Sequence, residues 1–358
     1  YDWCNSDSDP TPTSNNGHGT AAGGVAAAAG NNTIHVSGAA YDATLGGSTL
    51  IACWSPDSME ANALSFLNNE IDIYTNSWGP SDNGQTLSAP GPLMLAAFED
   101  DAYQGRNGLG NIITWAAGNG LTSNDNANYD GWANSRFTIA VSAITHYGEQ
   151  SYYSEPGANI LVAAHSNGDG EAITTTDIHD DPDISSDDAG YDNGNVTNSF
   201  GGTSSATPLA AGVIALILES NENLTWRDLQ HILVNSARKN DPNDSSWEIN
   251  SAGHDVSHKY GFGAIDAGAA VSLAENWTNV DPEINQTFGP FNPSFSIPTS
   301  SNSWSEFDLQ INEDVSLESI DIIVDIDHSN RGDLDIVLES PNGTQSWLAE
   351  EHSDGGND

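Results

Sequence analysis

The sequence predicts an α/β domain with a mainly parallel sheet, followed by the start of a smaller all-β domain. Up to about residue 277, short apolar runs alternate with helical stretches of small residues. This order is expected when helices connect parallel strands. After residue 277 the pattern stops, and apolar residues begin to alternate with polar ones. We therefore assign residues 1–277 to the first domain and residues 278–358 to the second.

The first domain should contain buried strands and a buried helix. Residues 71–74, 111–116 and 137–142 are short, largely apolar runs, typical of strands that are covered on both faces. Residues 208–219 are almost entirely apolar and predict a buried helix. Thr225 precedes another helical segment and is a suitable N-cap.

The second domain is predicted from alternation. Residues 277–303 are rich in Asn, Pro, Ser, Thr and Phe and show no helical period. Residues 307–311, 317–326 and 334–338 alternate apolar and polar side chains, as half-buried strands do. A Pro-Asn-Gly turn follows at 341–343. These residues should form the first strands of an all-β domain.

The charge of the chain excludes one class of partner. It carries 51 Asp and Glu against 7 Lys and Arg, a formal net charge of -44. Such a surface repels nucleic acid and attracts cations and basic peptides. We interpret most of these acids as a solvated surface adapted to high salt, although a few could still form a specific site. No apolar run approaches the length of a membrane span, so no membrane segment is predicted.

The cysteines leave three alternatives open. Cys4 and Cys53 could pair in an oxidising compartment, either could pair with sequence outside this chain, or both could be free. Neither belongs to a CxxC motif.

The clearest chemical signal is Gly-Gly-Thr-Ser-Ser-Ala-Thr-Pro at residues 201–208, directly before the buried helix. Ser204 would lie at a helix N-terminus, where free N–H groups and the helix dipole stabilise a developing oxyanion. The preceding glycines would let a substrate backbone approach closely. Taken alone, this motif is more simply interpreted as a loop that caps a helix.

Two further motifs supply the groups that a serine nucleophile needs. His18 begins a run of small residues and is a candidate general base for Ser204. Asn119 lies in an Ala-Gly-Asn-Gly motif after a predicted strand and could donate its side-chain amide to the oxyanion. His18 alone could equally be a capping histidine. The three motifs together indicate nucleophilic catalysis.

Four motifs follow one another in a characteristic order: His-Gly-Thr at 18–20, Ser-Trp-Gly-Pro at 77–80, Ala-Gly-Asn-Gly at 117–120, and Gly-Thr-Ser-Ser-Ala-Thr-Pro at 202–208. In this order they resemble the subtilisin superfamily of serine proteases. The resemblance implies a three-layer α/β fold.

Other segments resemble the kexin/furin (proprotein convertase) branch of that superfamily. In the first domain these segments are residues 77–84, 128–131, 153–155, 224–228 and 258–263. In the second domain, residues 324–344 resemble the β-sandwich P (Homo B) domain of the branch. The resemblance implies a serine endopeptidase that depends on calcium, is secreted or displayed at the cell surface, and is made with a prodomain. Its partners would be protein or peptide substrates with basic residues.

The sequence departs from the superfamily at the catalytic aspartate. Asp2 lacks the preceding apolar strand and the following glycine of that motif. We therefore expect the catalytic aspartate and the prodomain to lie upstream of Tyr1. About half of the P domain is expected beyond Asp358.

The resemblance also implies residues that select the substrate. Asp82 and Asp130 match a pair that receives a P1 Arg or Lys, because two carboxylates can grip a guanidinium in a bidentate manner. Glu60 matches an acid that favours a basic residue at P4. Asn15 and Ser88 replace acids that the branch places at P2 and P4. Selectivity at P2 and P4 is therefore open.

Ser77 and Gly79, in the Ser-Trp-Gly motif, are assigned to substrate binding by the same resemblance.

Calcium ligands are implied in the same way. Asp82, Asp125 and Glu155 match a calcium site beneath the S1 pocket, and three carboxylates suit a hard cation. Asn32 matches a second calcium loop.

Three functions remain open at this stage. The first is a processing endopeptidase that cleaves after basic residues. The second is a broad-specificity secreted halophilic subtilase with relaxed P2 and P4 pockets. The third is a catalytically silent, calcium-stabilised binding module, against which His18, Asn119 and Ser204 argue.

Overall fold

A computed structural model of the chain describes residues 1–12, 16–178, 190–192, 194–293, 296–299, 303–311 and 316–356. Asn15, the residue predicted to replace the P2 acid, lies outside these ranges. The chain forms two compact units, one made of Tyr1–Asn279 with Ile326–Asp358 and the other of Val280–Asp325. The predicted domain boundary after residue 277 stays a prediction.

The described residues form helices and strands in alternation. The helices are α1 (His18–Ala27), α2 (Asp57–Leu64), α3 (Pro92–Gly108), α4 (Thr203–Ser220), α5 (Trp226–Ser236) and α6 (Ala267–Ala274). The strands are β1 (Ile73–Asn76), β2 (Ile112–Ala116), β3 (Thr138–Ile144), β4 (Ile160–His165), β5 (Ile173–Thr176), β6 (Val196–Phe200), β7 (Glu248–Ile249), β8 (Asp255–Val256), β9 (Ile336–Glu339) and β10 (Gln345–Ala349).

The central sheet is parallel, as predicted. Its strand order is β1-β2-β3-β4, and the register pairs Ile73 with Ile112 and Ile113 with Thr138. The three predicted strands correspond to β1, β2 and β3, although β1 begins at Ile73 rather than at residue 71. The carboxyl ends of these strands therefore meet at one edge of the sheet, where ligand-binding loops of such folds lie.

Both faces of the sheet are covered by helices. Along β2, Ile112 packs on one side in the cluster that contains Ile214 of α4. Trp115 packs on the other side with Met94 and Phe98 of α3. Successive side chains of a strand point to opposite faces, so this division confirms a three-layer arrangement.

Helix α4 extends the predicted buried helix toward its N-terminus. It begins at Thr203. The preceding Gly202 has φ 75° and ψ 175°, which lie outside the helical region, so the helix cannot extend further toward the N-terminus. Pro208 lies inside α4 and has no N–H, so the carbonyl of Ser204 lacks its usual partner one turn later. The Ser77 hydroxyl donates a hydrogen bond to that carbonyl at 3.1 Å.

Helix α4 contradicts the prediction that no apolar run approaches the length of a membrane span. Among the described residues it is the one helix long and apolar enough for a membrane span, with mean hydropathy 1.2 over 18 residues, and 67% of it is buried. A core helix has the same properties, and α4 packs against the sheet.

Two local predictions are resolved by the structure. Thr225 caps α5 as predicted, in a capping box with Asp228. Cys4 and Cys53 form a disulfide, with sulfurs 2.11 Å apart. The pairing joins the first residues of the chain to the loop before α2.

The C-terminal region forms fewer strands than predicted. Strands β9 and β10 make an antiparallel hairpin, and β9 overlaps the predicted strand at 334–338. The predicted strands at 307–311 and 317–326 are wrong, since the described residues there form no strand. Alternation creates a face for packing, but a strand also needs a hydrogen-bonded neighbour, and these segments pair with none in the described part of the chain.

Candidate active site

Two helix N-termini carry the predicted base and nucleophile. His18 is the first residue of α1 and Ser204 is the second residue of α4. The His18 ring packs edge-on against Phe200, with centroids 5.6 Å apart, and Phe200 ends the strand that leads into α4. Helices α1 and α4 touch so closely that a Cβ on Gly212 would lie 2.8 Å from the Ala26 carbonyl oxygen.

The surroundings of His18 favour its neutral form. Burial lowers the pKa of the imidazole. A general base must be neutral to accept a proton. No carboxylate forms an ion pair with the ring among the described residues. Asp2 is buried, but it accepts hydrogen bonds from Cys4 and Asn5 and holds a turn.

Ser204 lies where an anion can be stabilised. The Thr203 N–H donates to Asn119 and the Ser205 N–H to the Gly202 carbonyl. The Ser204 N–H has no hydrogen-bond partner among the described residues, so it is one of the free donors that a helix N-terminus provides.

The Asn119 side chain is oriented by its oxygen. Asn119 Oδ1 accepts hydrogen bonds from the Thr203 N–H at 2.8 Å and from the Thr203 hydroxyl at 3.0 Å. Because Oδ1 faces these donors, Nδ2 points away from them and lies 3.3 Å from Asp82 Oδ2. Asn119 thus connects the loop of the nucleophile to the predicted S1 acids.

Polar residues behind the nucleophile hold its loop in place. Asn167 Oδ1 accepts from the Gly202 N–H at 2.8 Å and from the Tyr153 hydroxyl at 2.6 Å. The Ser166 hydroxyl donates to the Gly202 carbonyl and lies 2.7 Å from the Ser205 hydroxyl. Sequence reasoning missed Ser166 and Asn167, since only their position after strand β4 marked them.

Four carboxylates line one cavity next to Asn119. They are Asp82, Asp125, Asp130 and Glu155, and we call them the acid cluster. Asp125, Asp130 and Glu155 are only 6%, 8% and 3% exposed. No Lys, Arg or His forms an ion pair with any member among the described residues.

The pKa values of three members of the acid cluster are raised above their usual range. Burial raises the pKa of Glu155 to about 9, and the charges of Asp125 and Asp82 add to the effect. Burial likewise raises the pKa of Asp130 to about 7 and that of Asp82 above its usual value. Buried charges of one sign are unfavourable without a counter-charge. The acid cluster therefore needs either protons or a cation.

Glycines make room for the acid cluster. A Cβ on Gly118, which has φ +104°, would lie 2.4 Å from the Glu155 carboxylate, and one on Gly120 would lie 2.5 Å from the Asp125 Cβ. A Cβ on Gly79 would lie 2.7 Å from Asp130 Oδ2. At contacts this short, a side chain at any of these positions would displace a carboxylate of the acid cluster. The glycines beside Asn119 and Trp78 thus leave room for the carboxylates of the acid cluster.

The acid cluster has the donor chemistry of a calcium site, because Ca²⁺ binds carboxylate, carbonyl and water oxygens. Some of its oxygens are engaged by the backbone: the Gly84 N–H donates to Asp125 and the Gly120 N–H donates to Glu155, each at 2.8 Å. Within the described ranges, no three His, Cys, Asp or Glu side chains are arranged to hold a metal ion by themselves. Calcium would therefore need carbonyl or water ligands as well.

The other predicted site residues are more dispersed. Glu60 is 9% exposed on α2 and accepts a hydrogen bond from the Ser55 hydroxyl at 2.9 Å. Ser88 lies beside the acid cluster, because its N–H donates to the Tyr129 carbonyl. Asn32 is exposed in a loop after α1, where its Oδ1 accepts from the Ile34 N–H.

Comparison with known proteins identifies the family. Residues 1–263 match the subtilase family and residues 317–358 match the proprotein convertase P-domain. The chain belongs to the subtilase family.

Similar proteins agree with this result. Human furin is 38% identical over 357 residues, which are 97% of this chain and 43% of furin. The PC3-like endoprotease variant B of Hydra vulgaris is 38% identical over 96% of this chain and 48% of its own length. The chain thus spans less than half the length of these relatives. The crystal structure of a serine protease of Aeromonas sobria superposes with a TM-score of 0.85 and 27% identity, over 96% of this chain and 68% of that one.

Proposed function

We propose that the protein containing this chain is a calcium-dependent serine endopeptidase that cleaves after basic residues. The observation that carries the proposal is the acid cluster. Three of its members, Asp125, Asp130 and Glu155, are buried and the fourth, Asp82, is exposed. The cluster lacks a basic partner in the described part of the chain. It is connected to Ser204 through Asn119 and Thr203. A cationic side chain that enters this cavity could form ion pairs with the carboxylates that line it.

In the proposed mechanism, Ser204 Oγ attacks the scissile carbonyl carbon while His18 accepts the hydroxyl proton. The negative charge on the carbonyl oxygen is stabilised by the Ser204 N–H and by Asn119 Nδ2. His18 then protonates the leaving amine, and the acyl group stays on Ser204. Water hydrolyses this ester, with His18 again accepting and returning a proton. We assign the aspartate that orients His18 to sequence preceding Tyr1.

Substrate selection is assigned to the acid cluster and its neighbours. Asp82 and Asp130 would bind a P1 Arg through charge-assisted hydrogen bonds. Ser77 and Gly79 would line the path of the substrate backbone, and Glu60 would favour a basic P4 residue.

Calcium is assigned to Asp82, Asp125 and Glu155, with Asn32 in a second loop. The bound ion would supply positive charge that keeps these carboxylates ionised. We further propose residues 1–277 as the peptidase domain, 278–358 as part of a P domain, a prodomain as partner, and secretion or cell-surface display.

A library of peptide substrates tests this proposal with the full-length protein at fixed calcium. We expect cleavage after Arg first and Lys second, because an ammonium cannot form bidentate contacts. Asp130→Asn should lower kcat/KM for P1 Arg by about 10- to 100-fold and change that for P1 Leu little.

The same library can overturn the proposal. Strong cleavage after Leu or Phe by the unmodified protein would contradict basic specificity. It would favour a broad-specificity halophilic subtilase instead, in which the uncharged Ser88 has relaxed the neighbouring pocket. Absence of any cleavage would favour the silent binding module.

A further inference from the structure

The segment between Asp125 and Asp130 connects two functions of the acid cluster. Asp125 is a proposed calcium ligand and Asp130 a proposed P1 contact. Between them, Ala127–Tyr129 forms a single turn of 3₁₀ helix, and the Asn126 side chain caps its N-terminus. This turn sets the backbone position of Asp130, because Asp130 directly follows it. The carboxylate itself accepts hydrogen bonds at Oδ1 from the Trp132 and Ala133 N–H groups, at 2.8 and 3.3 Å.

Glu350 and His352 contact the last residue of this turn. The Tyr129 hydroxyl donates to the Glu350 carbonyl and accepts from the Glu350 N–H, both at 3.0 Å. The Tyr129 ring lies against the His352 ring with centroids 4.4 Å apart. One side chain of the turn is therefore held by both backbone groups of one residue and by a ring.

The start and middle of the turn are held from the same direction. Asn126 Nδ2 donates to Glu350 Oε2 at 3.2 Å, and Asn128 Nδ2 donates to the Trp347 carbonyl at 2.9 Å. Four hydrogen bonds from the side chains of Asn126, Asn128 and Tyr129 thus join this segment to β10 and to the residue directly after it.

The contacts extend to the segment that carries Glu155. The Trp347 N–H donates to His258 Nε2 at 3.4 Å, and the His258 carbonyl accepts from the Gly157 N–H at 2.8 Å. The Ala127 N–H donates to the Pro156 carbonyl at 2.9 Å. Strand β10 thereby closes a ring of hydrogen bonds around the two loops that carry the acid cluster.

We propose that β10 and residues 350–352 form a positioning element that sets the geometry of Asp130 for a P1 guanidinium. The inference rests on the proposed P1 specificity and deepens it. Tyr129 and Glu350 act through Asp130 and are not catalytic residues. Bidentate contacts to a guanidinium require a fixed carboxylate, whereas a single ammonium contact tolerates displacement.

The test uses Tyr129→Phe in the full-length protein, which removes one hydroxyl and keeps the ring. We expect kcat/KM for P1 Arg to fall about three- to tenfold, mainly through a higher KM. The fall for P1 Lys should be smaller, and P1 Leu should be unchanged. The matched control is Tyr74→Phe. It removes the hydroxyl of a half-buried tyrosine that donates to the Phe66 carbonyl at 2.7 Å, and it should leave the Arg-to-Lys ratio unchanged.

A second pair of variants tests the same contact from the other side. Glu350→Ala removes the acceptor for Asn126 and should lower the Arg-to-Lys ratio as Tyr129→Phe does. Glu350→Gln keeps an oxygen acceptor and should restore that ratio.

Each outcome decides between the two proposals. If the unmodified protein shows no P1 Arg preference, the proposed function fails before the variants are compared. If the preference exists but neither Tyr129→Phe nor Glu350→Ala alters the Arg-to-Lys ratio, the positioning role is overturned and the proposed function stands. An equal loss for Arg, Lys and Leu would also overturn it, because that result indicates general destabilisation.

Discussion

The residues around Ser204 and the acid cluster lie close together but differ in whether their polar and charged groups have partners within the protein. Around Ser204, the buried polar groups find partners within the protein, such as Asn119 with Thr203 and Asn167 with Gly202. In the acid cluster, Glu155 and Asp130 keep raised pKa values because burial and like charges oppose their ionisation. The chain alone thus preorganises the first region, whereas the second region has no counter-charge among the described residues.

The largest expected effect concerns the preorganised region. Ser204→Ala or His18→Ala in the full-length protein should lower kcat by about a millionfold, because members of such a triad act as one unit. A fluorophosphonate probe should label Ser204 in the unmodified protein and fail to label the His18→Ala variant.

The neighbouring Ser205 provides the control for this experiment. Its hydroxyl contacts Ser166 and is buried, so Ser205→Ala should keep the label. Equal labelling of the His18→Ala and unmodified proteins would remove His18 from the mechanism.

Asn119→Ala should have the next largest effect. We expect kcat to fall about 10²- to 10³-fold through loss of an oxyanion donor. Thr203→Val is the matched comparison, because it removes the hydroxyl bond to Asn119 Oδ1 and leaves the Thr203 N–H bond in place. A loss as large in Thr203→Val would mean that Asn119 acts mainly by holding the loop.

Removal of calcium should affect the acid cluster and spare the preorganised region. Chelation should lower the melting temperature, with about 3–4 kcal/mol of stability lost relative to calcium at 100–1,000 times its Kd. Glu155→Gln should reduce this dependence on calcium. An unchanged melting temperature after chelation would contradict a calcium site in the folded protein.

Asp101 sharpens the comparison, since it is a buried carboxylate outside both regions. Burial raises its pKa to about 6. Among the described residues, only Ser65 and Asn68 donate hydrogen bonds to its side chain, at 3.3 and 3.2 Å. The folded state therefore binds the proton more tightly than the unfolded state, where the pKa is near 3.8. The contribution of Asp101 to stability should therefore fall as pH rises between about 4 and 6 and stay constant above that range.

Asp101→Asn tests this pH dependence. The variant should remove it and gain at most about 3 kcal/mol at pH 7. Urea denaturation at several pH values measures both effects, and a steeper pH dependence in the variant would refute the assignment.

The smallest effect expected is that of sodium chloride on the whole surface. With a net charge of -44, screening of like charges should raise the melting temperature as salt increases. Potassium chloride should act equally, because screening depends on ionic strength. A melting temperature independent of salt would contradict the interpretation of the acids as an adaptation to high salt.

Much of the fold was predictable from local patterns. Apolar runs located strands β1, β2 and β3, and Thr225 marked the start of α5, because burial on both faces and helix capping leave direct traces in neighbouring residues. The alternation in residues 307–311 was misleading. It records a preference for a packing face, but it contains no information about a partner strand.

For the site, the sequence by itself determined which chemistry was available: a serine and a histidine at helix starts, an asparagine between glycines, and an excess of acids. The family resemblance grouped Asp82, Asp125, Asp130 and Glu155 in advance, but only the tertiary structure decided that they line one cavity, how deeply each is buried and what holds them there. Asp82, Asp130 and Glu155 are far apart in sequence, and their raised pKa values depend on mutual distance and burial. The contact between Tyr129 and Glu350 left no pattern in the sequence, because it joins residues more than two hundred positions apart through backbone groups that every residue possesses.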